Sequence, residues 1–144
     1  MGAGRLAKMC EIHSLPDAER ARDIAREVLL PYAEQIGRLL HAPVCIGLGG
    51  TCTAAVSIAR GQELHGDDAD GITVSKAQLE AQWKMLAPMS LEERARVPGL
   101  PPTRALLMPT GLSILCAAMD LLHFDRVTSS GRNNLDGFMM EAGE

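Results

Sequence analysis

The sequence predicts an α/β layered fold: a few-stranded sheet with parallel central strands, packed by several helices. Three observations carry this reading. Short apolar runs at 2–12, 44–48, 72–74 and 124–129 alternate with longer stretches of helical periodicity. Helix-start signatures stand at the joins, at Ser14-Leu15-Pro16-Asp17, at Ser75 and at Ser90-Leu91-Glu92-Glu93. Between Cys45 and Val56 the order is strand, glycine turn, helix.

Length and composition set the frame. The 144 residues suit one domain, 1–144. Hydrophobic residues make up 47% and aromatic residues 3%, so the core must be built from Leu, Ile, Val, Ala and Met. A formal net charge of −4 speaks against a nucleic-acid partner. Cys10, Cys45, Cys52 and Cys116 are scattered and form no Cys-x-x-Cys pair, the pattern of buried free thiols in a reducing cytoplasm rather than of a zinc site. The first residues do not read as a signal peptide, and apolar stretches break well before the ~20 residues a membrane helix needs. The expectation is a cytoplasmic protein with no membrane span.

Taken in order, Leu6, Met9 or Cys10, and Ile12 alternate loosely and predict a strand over 2–12. A helix follows from 14 to about 40, with Ser14 as cap and Asp17 completing a capping box. Ile24, Val28, Tyr32 and Ile36 recur every four residues, flanked by Ala25, Leu29, Ala33 and Leu40, and predict its apolar face. Glu19, Arg20, Arg22, Asp23, Arg26 and Glu27 form the solvated face, and Pro31 should kink the helix. A strand at 44–48 leads to a helix at 51–60 capped by Thr51 or Thr53. The polar loop 61–71 holds His65, Asp67, Asp68 and Asp70, but without calcium-loop spacing, so it reads as solvated loop rather than metal site.

After the strand at 72–74, Ser75 caps a helix over 76–86 that turns Leu79, Trp83 and Leu86 inward. Ser90 opens a short helix, stopped by Pro98-Gly99-Leu100-Pro101-Pro102. Thr103 caps a long helix to about 122, bent at Pro109. Leu107, Gly111, Leu112, Leu115, Met119 and Leu122 face inward, and the helix is so apolar that it should be buried on most sides. A last strand spans 124–129, and Asn133 caps a final helix to about 141.

The glycine turn is the candidate binding feature. Gly47, Gly49 and Gly50 let another backbone, or a ligand, come closer than a Cβ would allow. Free N–H groups and the positive dipole end at the following helix start suit an anion. Glycine used only for tight packing is the plain alternative. In open α/β sheets ligands lie beyond the carboxyl ends of the strands. Two such ends carry polar glycine turns: 48–53, and Ser129-Ser130-Gly131-Arg132-Asn133-Asn134.

Several segments together resemble one family, the exopolyphosphatase / guanosine pentaphosphate phosphohydrolase (Ppx/GppA phosphatase) family. Gly47-Leu48-Gly49-Gly50-Thr51 is similar to its Gly-Thr-Gly-Gly-Thr turn. Leu64-His65-Gly66 followed by Ile72-Thr73-Val74-Ser75 looks like its His-Gly and Leu-Thr pair. Pro98-Gly99-Leu100-Pro101-Pro102-Thr103-Arg104-Ala105 resembles its Pro-Gly-Leu-x-x-x-Arg-Ala segment. Gly111-Leu112-Ser113-Ile114-Leu115 and Gly2-Ala3-Gly4-Arg5-Leu6 complete the ordered set. Leu48 replaces a threonine of the family turn, and Asn133 and Leu135 replace a glycine and an arginine near the end.

The resemblance implies a ribonuclease H-like, actin-like ATPase lobe that is incomplete: residues 1–144 match the latter part of the second lobe. It implies a phosphate-binding surface of Gly47, Gly49, Gly50, Thr51, Arg5 and Arg132, with magnesium as cofactor and polyphosphate or guanosine pentaphosphate held against the missing lobe. The family's phosphate loops and catalytic glutamate have no counterpart here, so no catalytic residue and no metal ligand is assigned. The uncovered edge of the first strand implies a homodimer. Two functions stand side by side. One is an exopolyphosphatase-like phosphohydrolase domain, completed by its catalytic lobe. The other is a non-catalytic lobe acting as an anion-binding or self-associating module.

Overall fold

A computed structural model describes residues 2–38 and 44–131. The final helix expected from Asn133, together with Leu40 and Arg132, lies outside these residues. The first element is a helix, α1 (Ala3–Met9), and not the strand that the alternation suggests. Leu6 and Cys10 are buried while Met9 is exposed. Residues 6 and 10 share a strand face by period two and a helix face by the i, i+4 rule, so the sequence pattern fits both. Backbone bonds from Arg5 and Leu6 to the Gly2 carbonyl close the first turn of the helix.

Helix α2 (Leu15–Gly37) starts where its cap requires. Ser14 Oγ accepts from the Asp17 amide at 3.3 Å. The Asp17 carboxylate accepts from the Ser14 hydroxyl and, one residue further back than a capping box reaches, from the His13 amide at 3.2 Å. Its buried stripe is Ala18, Ala21, Ala25 and Ala33. Val28, Tyr32 and Ile36, expected inward, are exposed, Tyr32 by 60%. The reason is the neighbour: α2 lies along α6 (Met108–Leu121), its most extensive helix contact. Side-chain size at the contact sets how closely two helices approach. An alanine stripe admits a close approach that the larger stripe beside it would block. Pro31 lies inside α2, which continues past it as one helix.

The described sheet has three strands, β1 (Ile46–Leu48), β2 (Thr73–Ser75) and β3 (Arg126–Ser130), in the order β1-β3-β2. β1 runs parallel to β3, with Gly47 opposite Ser129. β2 runs antiparallel, with Val74 opposite Val127, so the sheet is mixed rather than parallel throughout. Gly47, Val74, Val127 and Ser129 face the helices and are buried. Ile46 and Leu48 point to the other face, Ile46 62% exposed.

Helix α3 (Gly50–Arg60) follows β1 directly. Helices α4 (Lys76–Leu86) and α5 (Leu91–Arg94) both open with the capping boxes read from the sequence, Ser75 with Gln78 and Ser90 with Glu93. Leu79, Trp83 and Leu86 are buried as expected. α6 starts later than expected. Thr103 sits in a single 3-10 turn, Pro102–Arg104, and Pro109 lies in the first turn of α6, where its missing N–H costs nothing, so it starts the helix instead of bending it. α6 is the central helix, with Gly111, Leu112, Ser113, Cys116, Ala117 and Met119 buried around its circumference.

Two polar groups tie the helices together. Trp83 Nε1 donates to Ser113 Oγ at 2.8 Å, and the Ser113 proton is shared between the carbonyls of Ala18 and Pro109, at 3.3 and 3.0 Å. Asp120 accepts from both Arg22 and Lys76, and Arg22 also reaches Glu80 at 3.1 Å and lies over the Trp83 ring at 5.2 Å. Arg22, placed by sequence on the solvated face, is therefore half-buried in a network that joins α2, α4 and α6. All four cysteines are free thiols, with Cys45 the one that is only half-buried. Burial pushes Cys52 and Cys116 up to about 11. Among the described residues no helix is long and apolar enough to cross a membrane.

Candidate functional site

A cleft of about 410 Å³ opens where the carboxyl ends of β1 and β3 meet the start of α3. Gly49 caps α3 with φ 88° and ψ 176°, a conformation that only glycine adopts readily. The expected caps Thr51 and Thr53 both lie inside the helix instead, because the cap position itself takes a positive φ that favours glycine, although a Cβ there would meet open space. Thr53 Oγ1 turns back to the Gly49 carbonyl at 3.4 Å. The amides of Gly50 and Thr51, in the first turn, have no intrahelical acceptor. Together with the helix dipole they give this end of the cleft a positive character.

The four turn residues separate sharply in their surroundings. Gly49 and Gly50 line the cleft. A Cβ on Gly50 would lie 2.1 Å from Arg104 Cζ and within 2.5 Å of both terminal guanidinium nitrogens, so the Arg104 head rests directly on the turn. Gly47 faces the core: a Cβ there would come within 2.3 Å of Cys52 Sγ and 2.9 Å of Val127 Cγ2. Thr51 turns its side chain against α6, where a Cβ on Gly111 would meet Thr51 Oγ1 at 2.5 Å. Arg5 is exposed on α1 and does not line the cleft. Leu48, in the position of the family threonine, is exposed on the open sheet face.

Arg104 is the cation at the cleft that no local sequence pattern singles out. It stood in the Pro-Gly-Leu-x-x-x-Arg-Ala segment without an assigned role. It is exposed and makes no ion pair among the described residues. Its position is fixed from behind. Gly99 has φ 83°, and a Cβ there would lie 2.1 Å from the Ser57 carbonyl oxygen, so the 98–104 segment is pressed onto the backbone of α3. Ser57 is itself buried, donating to the Thr53 carbonyl at 2.8 Å and accepting from the Leu64 amide at 3.1 Å. More than fifty residues lie between the turn and the arginine and hide the contact from any local pattern; the sequence signal is that both belong to the same family set.

The polar loop forms the facing wall. Asp70 accepts from Ser130 Oγ at 3.0 Å and from the Gly131 amide at 2.9 Å, and Gly71 N donates to the Ser129 carbonyl at 2.9 Å. A Cβ on Gly131 would lie 2.3 Å from the Gly66 carbonyl oxygen. These contacts latch the loop to the end of β3. Glu63, the one carboxylate lining the cleft among the described residues, lies 3.6 Å from His65. Among the described residues no three His, Cys, Asp or Glu side chains converge.

The sequence pattern of the Ppx/GppA phosphatase family matches residues 1–142. A guanosine-5'-triphosphate,3'-diphosphate pyrophosphatase of Vibrio vulnificus (strain YJ016) is 37% identical over 123 residues, covering 85% of this chain and 23% of that protein. Its counterpart in Vibrio parahaemolyticus serotype O3:K6 is 36% identical over the same length. The chain thus spans about a quarter of the curated relatives it matches. The crystal structure of the Aquifex aeolicus Ppx/GppA family member superposes with TM-score 0.81 at 16% identity, over 99% of this chain and 46% of that one. An exopolyphosphatase from Cytophaga hutchinsonii gives TM-score 0.78 at 19% identity, over 99% and 48%. The α/β lobe of the actin-like ATPase fold is shared with these solved structures, and the chain belongs to the Ppx/GppA phosphatase family.

Proposed function

We propose that this chain supplies one wall of a phosphohydrolase site, and that its cleft holds the phosphate chain of polyphosphate or guanosine pentaphosphate. The observation that carries this is the Arg104 guanidinium seated on Gly50 beside the free amides of α3. A guanidinium offers a fork of donors to phosphate oxygens, and helix amides add fixed donors that need no reorganisation. The chain's part is binding and charge neutralisation. Activation of the attacking water belongs to the complementary lobe, as does the catalytic glutamate the resemblance implies.

The test is binding of long-chain polyphosphate to the 144-residue chain, followed by calorimetry at two salt concentrations. Binding should weaken with salt, and Arg104→Ala should weaken it about tenfold, the worth of one charge-assisted hydrogen bond. Wild-type affinity equal to that of Arg104→Ala would remove the proposal. Purified chain alone should release no phosphate from polyphosphate in magnesium buffer.

A second reading, a self-associating module, rests on β1. Among the described residues its outer edge is unpaired, and Val44, Ile46 and Leu48 are all exposed. The strand edge expected at 2–12 does not exist, because those residues form α1; the edge of β1 takes its place, and a second copy pairing there is the homodimer that this reading proposes.

A further inference from the structure

We propose that a second cavity, remote from the phosphate cleft, binds a small amphipathic anion, an aliphatic carboxylate. The cavity holds about 480 Å³, within the range of sites for small organic ligands, and shares no lining residue with the cleft. It lies between α1, the extended segment 10–13, α5 and the start of α6.

Its chemistry is two-sided. Ile12, Met89, Leu91, Leu106 and Leu107 give it an apolar wall, and Leu91 and Leu106 remain largely exposed there. Against this wall stands Arg94, only 4% exposed. Nε of Arg94 donates to the Leu86 carbonyl at 2.9 Å, and Nη2 donates to the carbonyls of Ile12 at 2.7 Å and Ala87 at 3.1 Å. Nη1 has no partner among the described residues, and no carboxylate among them pairs with this guanidinium. Burial pulls its pKa down, yet an arginine stays charged in proteins.

A buried charge is stable only when it is paired or fully hydrogen-bonded. Three carbonyls satisfy three of the five N–H groups; Nη1 is not buried, so it opens onto the cavity and is free to donate to an anion that enters there. Thr110, also buried in the lining, has a hydroxyl with no hydrogen bond among the described residues. Lys8 adds a second cation to the lining, and the nearby Glu11 is engaged by His13 at 3.3 Å. A carboxylate head at Arg94 and a hydrocarbon tail along the leucines match both sides. Inorganic phosphate matches only the first, and a neutral alcohol only the second.

The experiment titrates the 144-residue chain with octanoate, octanol and inorganic phosphate, by calorimetry and by amide chemical shifts. Octanoate should bind saturably, at least about tenfold tighter than octanol or phosphate, and should move the amides of Ile12 and Leu107. Arg94 also holds three backbone carbonyls, so its substitution risks the fold. The exposed Leu106→Glu instead sets a carboxylate beside the cavity and removes part of its apolar wall, so it should weaken both ligands, octanoate about tenfold more than octanol. Equal affinities for octanoate and octanol, no saturable binding, or shifts confined to Gly50 and Arg104 would each overturn the proposal. None of these outcomes bears on polyphosphate binding, which is read at Arg104.

Discussion

Gly47 and Gly50 are three residues apart in one turn, and the structure gives them different physical reasons to be glycine. At Gly50 the missing Cβ makes room for the far end of a flexible arginine; at Gly47 it makes room for the packed side chains of Cys52 and Val127. Substitution should therefore split by observable. Gly50→Ala displaces the Arg104 head, so polyphosphate affinity should fall several-fold while the unfolding midpoint in urea stays within about 0.5 kcal/mol of wild type. Gly47→Ala overpacks the β1–α3 contact and should cost about 1–3 kcal/mol. Calorimetry and urea titration on both variants check this; loss of stability in Gly50→Ala alone would reverse the assignment. The thiols give a second prediction at this scale. Burial holds Cys52 and Cys116 at about 11, so at pH 7.5 both should react with iodoacetamide far more slowly in the native chain than in urea, as read by mass spectrometry of peptides.

Helices are held to one another by a few polar contacts set into an aliphatic core. Asp120 is the hub of the most charged of these. Burial raises its pKa, but hydrogen bonds from Lys76 and Arg22 outweigh burial and hold it below the ordinary value of 3.8. The folded state therefore favours the carboxylate more than the unfolded state does. That stability is fully present above about pH 4 and is lost as pH falls through the lowered folded value. Asp120→Asn should cost about 2 kcal/mol at pH 7, and the difference from wild type should shrink as pH approaches 2. Urea midpoints across this range measure it; a constant difference would mean that Asp120 acts by shape rather than charge. The alanine stripe of α2 makes the matching prediction for packing. Ala25→Leu should cost about 1–3 kcal/mol by separating α2 from α6, whereas the exposed Val28→Ser should stay within about 0.5 kcal/mol. A face set by Ile24, Val28 and Tyr32 would give the reverse order.

For the molecule as a whole, β1 leaves an apolar strand at the sheet edge. Val44 is 74% exposed and Ile46 62%, beside a strand edge that is unpaired among the described residues. Exposed apolar edges recruit further strands. The apparent mass by light scattering should rise with concentration, and Ile46→Lys should return it toward that of a single chain. A mass independent of concentration would argue against edge pairing and leave the phosphate cleft proposal untouched.

Features that neighbours within four residues decide could be read directly from the chain. The caps at Ser14, Ser75 and Ser90, the strand–turn–helix at 45–56 and the inward Leu79, Trp83 and Leu86 all rest on local hydrogen bonds or on one helix period. The ordered motifs were also enough to point to the family. Tertiary structure alone decided the rest. A 6–10 apolar pair fits either a strand or a helix, so α1 was settled by its surroundings and not by its pattern. The buried face of α2 was chosen by the closeness of α6, which favours alanine over the larger stripe beside it. The direction of β2 depends on its pairing with β3, more than fifty residues later. Within the cleft, the sequence found the glycine turn, but only the fold brought Arg104 onto Gly50 and turned Gly47 and Thr51 inward. Local pattern cannot carry such contacts, because the energy that fixes them comes from excluded volume between segments far apart in the chain.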